Sequence, residues 1–211
     1  MHKTFSYRCQ EVVQDAPVIS EFVNRWPALF TVREINEEFM RITTLPLQAK
    51  FLAQLDKYTG NLLKVFSNRG GAAGRKIKLL MDPTATSEDI DLKRDCILRC
   101  LCVYFNEDSD TLIKEYLNSS HEEAERRIAQ TTIGLYVIRK DGADTVDKPV
   151  LRNLQSVAFG WAMLFGLIYT LNLSYPQEVK FTFEFFQKVL LNMDGKKLSP
   201  KVQALKIKMF Q

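Results

Sequence analysis

The sequence predicts a mainly α-helical protein: a compact multi-helix array with one short β element near residues 132–139. Three observations predict it. The 211 residues are 46% hydrophobic and 26% charged, which is the apolar content a packed core needs. Apolar side chains recur at spacings of three and four along most of the chain, the period of one helix face. Residues 131–139 depart from that period and read TTIGLYVIR, a β-rich run. We read residues 1–211 as a single helical domain, with a subdivision into a helical array over 1–130 and a strand plus three helices over 131–211.

The first clear element follows Asp15, an N-cap residue with Pro17 just inside the first turn, where its missing N–H costs nothing. Val18, Ile19, Phe22, Val23 and Trp26 fall on one face, and Pro27 stops the helix. Thr31 and Glu34 make a capping box for the next helix, whose stripe is Val32, Ile35, Phe39 and Ile42. After Pro46 comes Leu47, Phe51, Leu52, Leu55 and Tyr58, broken at Gly60, with a short continuation through Phe66 that ends at Gly70-Gly71. Residues 75–81 add one or two turns. A polar loop over 83–88 leads to Ser87 as a cap, and Ile97, Cys100, Leu101 and Tyr104 mark the helix that follows. A short helix over 110–117 and a charged one opened by the Ser120/Glu123 box complete the first part.

In the run 131–139, Ile133, Leu135 and Val137 alternate but Tyr136 and Ile138 are apolar too, so the strand is covered on both faces. Asp141-Gly142 is a hairpin turn signal, yet residues 143–148 are polar and Pro149 demotes them, which leaves the strand without a mate in sequence. Pro149 then introduces an apolar helix, and Ser174/Gln177 box the next, whose core stripe is Val179, Phe183, Phe186, Leu190 and Met193. Ser199-Pro200 starts a basic terminal helix with Val202, Leu205 and Met209 in register.

One segment takes a membrane test. Residues 157–173 are nearly all apolar and uncharged, just short of the roughly 18–20 residues that a bilayer span requires. A helix apolar all round also suits the centre of a bundle. The preferred reading is a buried core helix, with membrane attachment the competing one; Ala158, Ala162 and Gly166 recur every four residues and admit a close neighbour in either case.

The formal charge is +4, but the five lysines after Asp194 account for +5, which leaves −1 for residues 1–194. Candidate anion-binding residues are therefore the tail lysines Lys196, Lys197, Lys201, Lys206 and Lys208, with Arg69, Arg75 and Lys76 from a second local cluster that also holds Lys78. That second cluster lies in NRGGAAGRKIK (68–78). It departs from a phosphate-binding loop in spacing, in having Ile77 where a hydroxyl is needed, and in following a helix. Four cysteines follow an N-terminus with no signal-peptide core, which predicts reduced thiols in the cytosol or nucleus. Cys96 and Cys100 share a face while Cys102 lies about 200° around the helix from Cys100, so the three do not converge on one zinc. His2 and His121 have no nucleophile and acid that the sequence brings to them, and Glu122, Glu123 and Glu125 read as a helix start. Phe181, Phe183, Phe185 and Phe186 crowd one helix on two faces: either it is central, or Phe181 and Phe185 form a partner-binding patch.

The strings RWPALF (25–30) and DLKRDCILRCLCVYFNED (91–108), with segments 131–140, 164–176 and 198–205, resemble the C-terminal region of the vertebrate sterile alpha motif domain-containing protein 3-like proteins, a family most numerous in fishes. The resemblance runs over roughly residues 20–208. It implies no activity, cofactor or catalytic residue. The sterile alpha motif itself lies upstream in family members, so its self-association does not carry over. Family members have a second apolar, strand-like run after the position of Gly142, which this sequence shortens.

The function expected from these residues is a non-enzymatic protein-interaction or scaffold module with a protein partner and no metal or cofactor. The alternatives are binding of nucleic acid or an anionic surface through the basic tail, and membrane attachment through 157–173.

Overall fold

A greasy helix with little polar surface has to be enclosed by its neighbours, and the helix α7 (Val157–Thr170) is enclosed here by α3 (Val32–Thr43), α4 (Leu47–Ser67), α6 (Ile90–Tyr104) and one strand of a small sheet. The computed structural model describes residues 2–15, 17–117, 134–140, 143–147, 154–194 and 197–211. Thirteen of the fourteen α7 residues are buried, Trp161 and Phe165 completely. Among the described residues no helix is long and apolar enough to cross a membrane. The α7 helix is thus core and not a span, because nearly all of its apolar surface is covered by protein. The small-residue stripe works as expected: a Cβ on Gly166 would lie 2.2 Å from Leu47 Cδ2 and 3.2 Å from Ile35 Cγ2, so only glycine lets α3 and α4 approach this closely.

The N-terminal part departs from the sequence reading. A helix α1 (Phe5–Gln10) and a wider helical turn over Glu11–Asp15 precede α2 (Ile19–Arg25), and the cap position of α2 is Val18, not Asp15. A mostly polar segment like 2–15 carries no clear apolar stripe; its anchor is ionic. Arg8, 1% exposed, forks onto Glu38 of α3 with N–O distances of 2.6 to 3.0 Å. The buried Glu11 carboxylate accepts from Arg25 and, at 3.0 Å, from Trp26 Nε1. A short 3-10 turn over Pro27–Phe30 leads to α3, where Thr31 Oγ1 accepts from the Glu34 amide, as the box predicts.

The Gly60 break does not occur. α4 runs unbroken through it for 21 residues, since the roughly 1 kcal/mol a helical glycine costs is outweighed by the packing of Phe51, Leu55, Leu62 and Phe66 on either side. α5 (Gly71–Met81) starts four residues before the expected point. α6 is capped by Asp89, whose carboxylate accepts from the Asp91 and Leu92 amides; Ser87 serves one step earlier by accepting from the Asp89 amide.

The expected helix over 110–117 is a strand, β1 (Ile113–Leu117), after a 3-10 turn at Ser109–Thr111. It pairs in parallel with β2 (Leu135–Lys140), with Ile113 opposite Leu135, and β2 pairs antiparallel with β3 (Ala143–Asp147), with Val137 opposite Val146. The strand therefore has two mates. The polar 143–147 run serves as an edge strand through its backbone pairing with β2. Leu135 and Val137 join the core while Tyr136 stacks on Tyr116 at 6.1 Å, so β2 is covered on both faces. Pro149, the Asp141-Gly142 turn and the Ser120/Glu123 box lie outside the described residues.

α7 starts at Ser156, whose hydroxyl accepts from the Phe159 amide. The Ser174/Gln177 box does not form. Instead a 3-10 turn at Gln177–Val179 leads to α8 (Lys180–Phe185), continued by a wide helical turn over Phe186–Leu190. Its expected stripe is buried from Val179 to Met193. The terminal helix α9 (Pro200–Met209) is capped by Ser199 and buries Val202, Leu205 and Met209 as predicted, packing on α4 and α8.

Candidate binding groove

The end of α4 and the start of α5 are joined by a turn in which Gly71 takes φ +72°, a left-handed conformation that glycine adopts at least cost. The turn folds tightly enough that a Cβ on Gly74 would fall 1.8 Å from the Arg69 carbonyl oxygen. Between the two helices this leaves an open groove of about 700 Å³. Leu63, Phe66, Ile77 and Met81 supply its apolar lining, and Arg69, Arg75 and Lys78 supply positive charge. Leu63 stays 36% exposed there, while Phe66 and Ile77 are nearly covered. Ser67 also lines it, with its hydroxyl already donated to the Lys64 carbonyl at 2.9 Å.

The predicted cationic residues separate into those with partners and those without. Lys76 pairs with Asp108 at 3.6 Å. Lys201 donates to the Phe105 carbonyl at 3.0 Å and sits 4.4 Å over the Phe181 ring, so it fastens α9 to the body. Lys197 lends its carbonyl to Lys188 Nζ at 2.7 Å. Lys206 is half-buried on α9, and Lys196 lies outside the described residues. Arg69 and Lys208, far apart in sequence, share one ring: the Arg69 guanidinium lies 5.3 Å and the Lys208 ammonium 5.9 Å from the centre of Tyr104. Sequence reasoning found Arg69 and Arg75 and placed Lys78 in the same cluster without making it a contact candidate, but passed over Leu63 and Tyr104 as site residues, which no spacing connects.

Phe185 is fully buried and Phe181 is half-buried beneath Lys201, so the crowded phenylalanines pack inward. Cys96, Cys100 and Cys102 are buried, and burial pushes the Cys100 and Cys102 thiols up to about 12. Among the described residues no group of three or more His, Cys, Asp or Glu side chains is placed to hold a metal ion. His121 and Glu122, Glu123 and Glu125 lie outside them.

The fold and the groove define a mainly α-helical domain with a three-stranded sheet and a cationic, apolar-floored surface cleft. Residues 1–31 match the family model of the sterile alpha motif domain-containing protein 3 helical domain. The match relates the chain to sterile alpha motif domain-containing protein 3-like proteins, and RWPALF at 25–30 lies inside it. No curated protein and no solved structure matches the chain.

Proposed function

We propose that this protein is a non-enzymatic protein-interaction or scaffold module. The observation that carries the reading is the groove between α4 and α5, where partly exposed apolar side chains are rimmed by cations, the composition of a surface that holds a partner. Nothing in its lining is a paired acid and base or an activated nucleophile, and its one hydroxyl is engaged. The reading puts the protein in the cytosol or nucleus, where its four free cysteines stay reduced.

The test is a photo-crosslinking residue in place of Ser67 on the groove, with one in place of the exposed Arg33 on α3 as control. A polypeptide adduct at Ser67, competed by excess unlabelled protein and absent at Arg33, is the expected result. Absence of any saturable polypeptide adduct overturns the reading.

A second reading is binding of nucleic acid or an anionic surface, favoured by the meeting of Arg69 and Lys208 on Tyr104. It predicts affinity for a short oligonucleotide that falls steeply with salt and weakens on Lys208→Glu. Salt-independent or absent binding rejects it.

A further inference from the structure

We propose that the α4–α5 groove takes an acidic peptide segment carrying one large apolar side chain, an inference that rests on the interaction-module reading. The apolar side chain enters beside Leu63 and Met81, and the flanking carboxylates meet Arg69, Arg75 and Lys78.

The distribution of ion pairs carries the argument. Arg8, Arg25, Arg41, Arg94 and Arg99 each sit within 4.0 Å of a carboxylate. Among the described residues no carboxylate lies that close to Arg69, Arg75 or Lys78, although acids are plentiful there. Free cations on an open surface are solvated and mean little; these three converge on one concavity. Arg69 is moreover half-buried, with an Nε that has neither water access nor an acceptor. A guanidinium held in that way, against the face of Tyr104, is poised to receive a carboxylate at low entropic cost.

The charge and shape select the partner class. The volume, about 700 Å³, fits a large side chain and the backbone around it, in the range of ligand-holding clefts. A polyanion such as nucleic acid draws on many aligned cations, whereas residues 1–194 sum to −1 once the five tail lysines are set aside. Three cations around an apolar floor suit a short acidic segment with a greasy anchor better than a phosphate backbone.

The experiment uses the full chain and fluorescein-labelled peptides of about a dozen residues, rich in Glu and Asp around one central Leu, Phe or Trp, followed by fluorescence anisotropy. The expected result is saturable binding by part of the panel. That binding is lost when the central residue is Ala, weakens with salt, and falls roughly tenfold with Arg75→Glu or Lys78→Glu. Arg33→Glu leaves it unchanged, and circular dichroism establishes that each variant is folded. Binding indifferent to Arg75→Glu and Lys78→Glu overturns the proposal. So does an oligonucleotide that binds more tightly through the same residues, or a dimer that dissociates on Arg75→Glu. If no peptide binds while the Ser67 crosslink still captures a polypeptide, the acidic-segment proposal fails and the interaction-module reading stands; if both are negative, both fail.

Discussion

Glu107 and Thr182 meet across 75 residues of chain: one carboxylate oxygen of Glu107 accepts the Thr182 hydroxyl at 2.7 Å and the Thr182 amide at 3.0 Å, while the other accepts the Phe181 amide at 2.7 Å. The first turn of α8 has no cap of its own, so a loop residue after α6 supplies one. Glu107→Ala leaves two amides without partners and the buried Thr182 hydroxyl with only the weak acceptor Cys102 Sγ at 3.5 Å, and costs about 2–3 kcal/mol. Urea denaturation checks this; an unchanged midpoint contradicts the capping role.

The Arg8–Glu38 pair is almost wholly removed from water, at 1% and 4% side-chain exposure. Removing one member of such a pair costs about 3 kcal/mol, because the other charge stays buried. Arg8→Met should destabilise by that amount and make residues 2–30 the first cleaved in limited proteolysis. The double variant Arg8→Met/Glu38→Met should lose less than the two single losses combined, though Arg41 also leans on Glu38 at 2.6 Å. Strict additivity would show that the two side chains are not coupled.

Gly166 of α7 and Gly60 of α4 should respond in opposite directions. Gly166→Ala drives a Cβ into Leu47 and Ile35 and costs about 1–3 kcal/mol, part of which Leu47→Val restores. Gly60 has nothing within 4 Å, so Gly60→Ala gains up to about 1 kcal/mol. Thermal melts of both variants give the comparison, and equal shifts would refute it.

Acid should loosen the attachment of α9. Burial acts to raise the Glu184 carboxyl, but hydrogen bonds from Ser199 and Lys188 outweigh it and hold the group below its ordinary 4.5. A depressed carboxylate stabilises the fold fully above 4.5, and that contribution is lost as pH falls through 4.5 and then through its folded value. Protection of the α9 amides, taken relative to their intrinsic exchange rates, should therefore fall below about pH 4.5 in the parent and change less with pH in Glu184→Gln.

The thiols should report on unfolding. Burial raises all four, with Cys100 and Cys102 up to about 12, while only Cys9 retains partial exposure. Iodoacetamide at pH 8 should alkylate Cys9 first in the folded chain and all four cysteines after denaturation, as intact mass would show. Rapid modification of Cys100 in the native state would contradict this burial.

Where a sequence signal was local, it was read well. The Thr31 cap, the Ser199-Pro200 start, the stripe Val179–Met193 and the two-faced covering of β2 all follow from neighbouring residues and a single period. The errors arose where a distant partner overrides local preference. β1 looked helical until Leu135 paired with Ile113, and 143–147 looked too polar until β2 supplied its hydrogen bonds. The groove was half legible: Arg69, Arg75 and Lys78 lie in one local cationic stretch of sequence, but Leu63 reaches the groove from α4, and Tyr104 of α6 lies behind Arg69.

By itself the sequence determined the helical class, an uncharged apolar helix within 157–173 and the neutral body with a basic tail, because periodicity and charge are properties of short stretches of chain. Tertiary structure alone decided which cations are neutralised and which stay open, that Arg69 and Lys208 share one aromatic ring, and that Glu107 caps a helix 75 residues away. Those relationships depend on contacts between residues far apart along the chain. Such contacts form only when burying apolar surface brings the helices together.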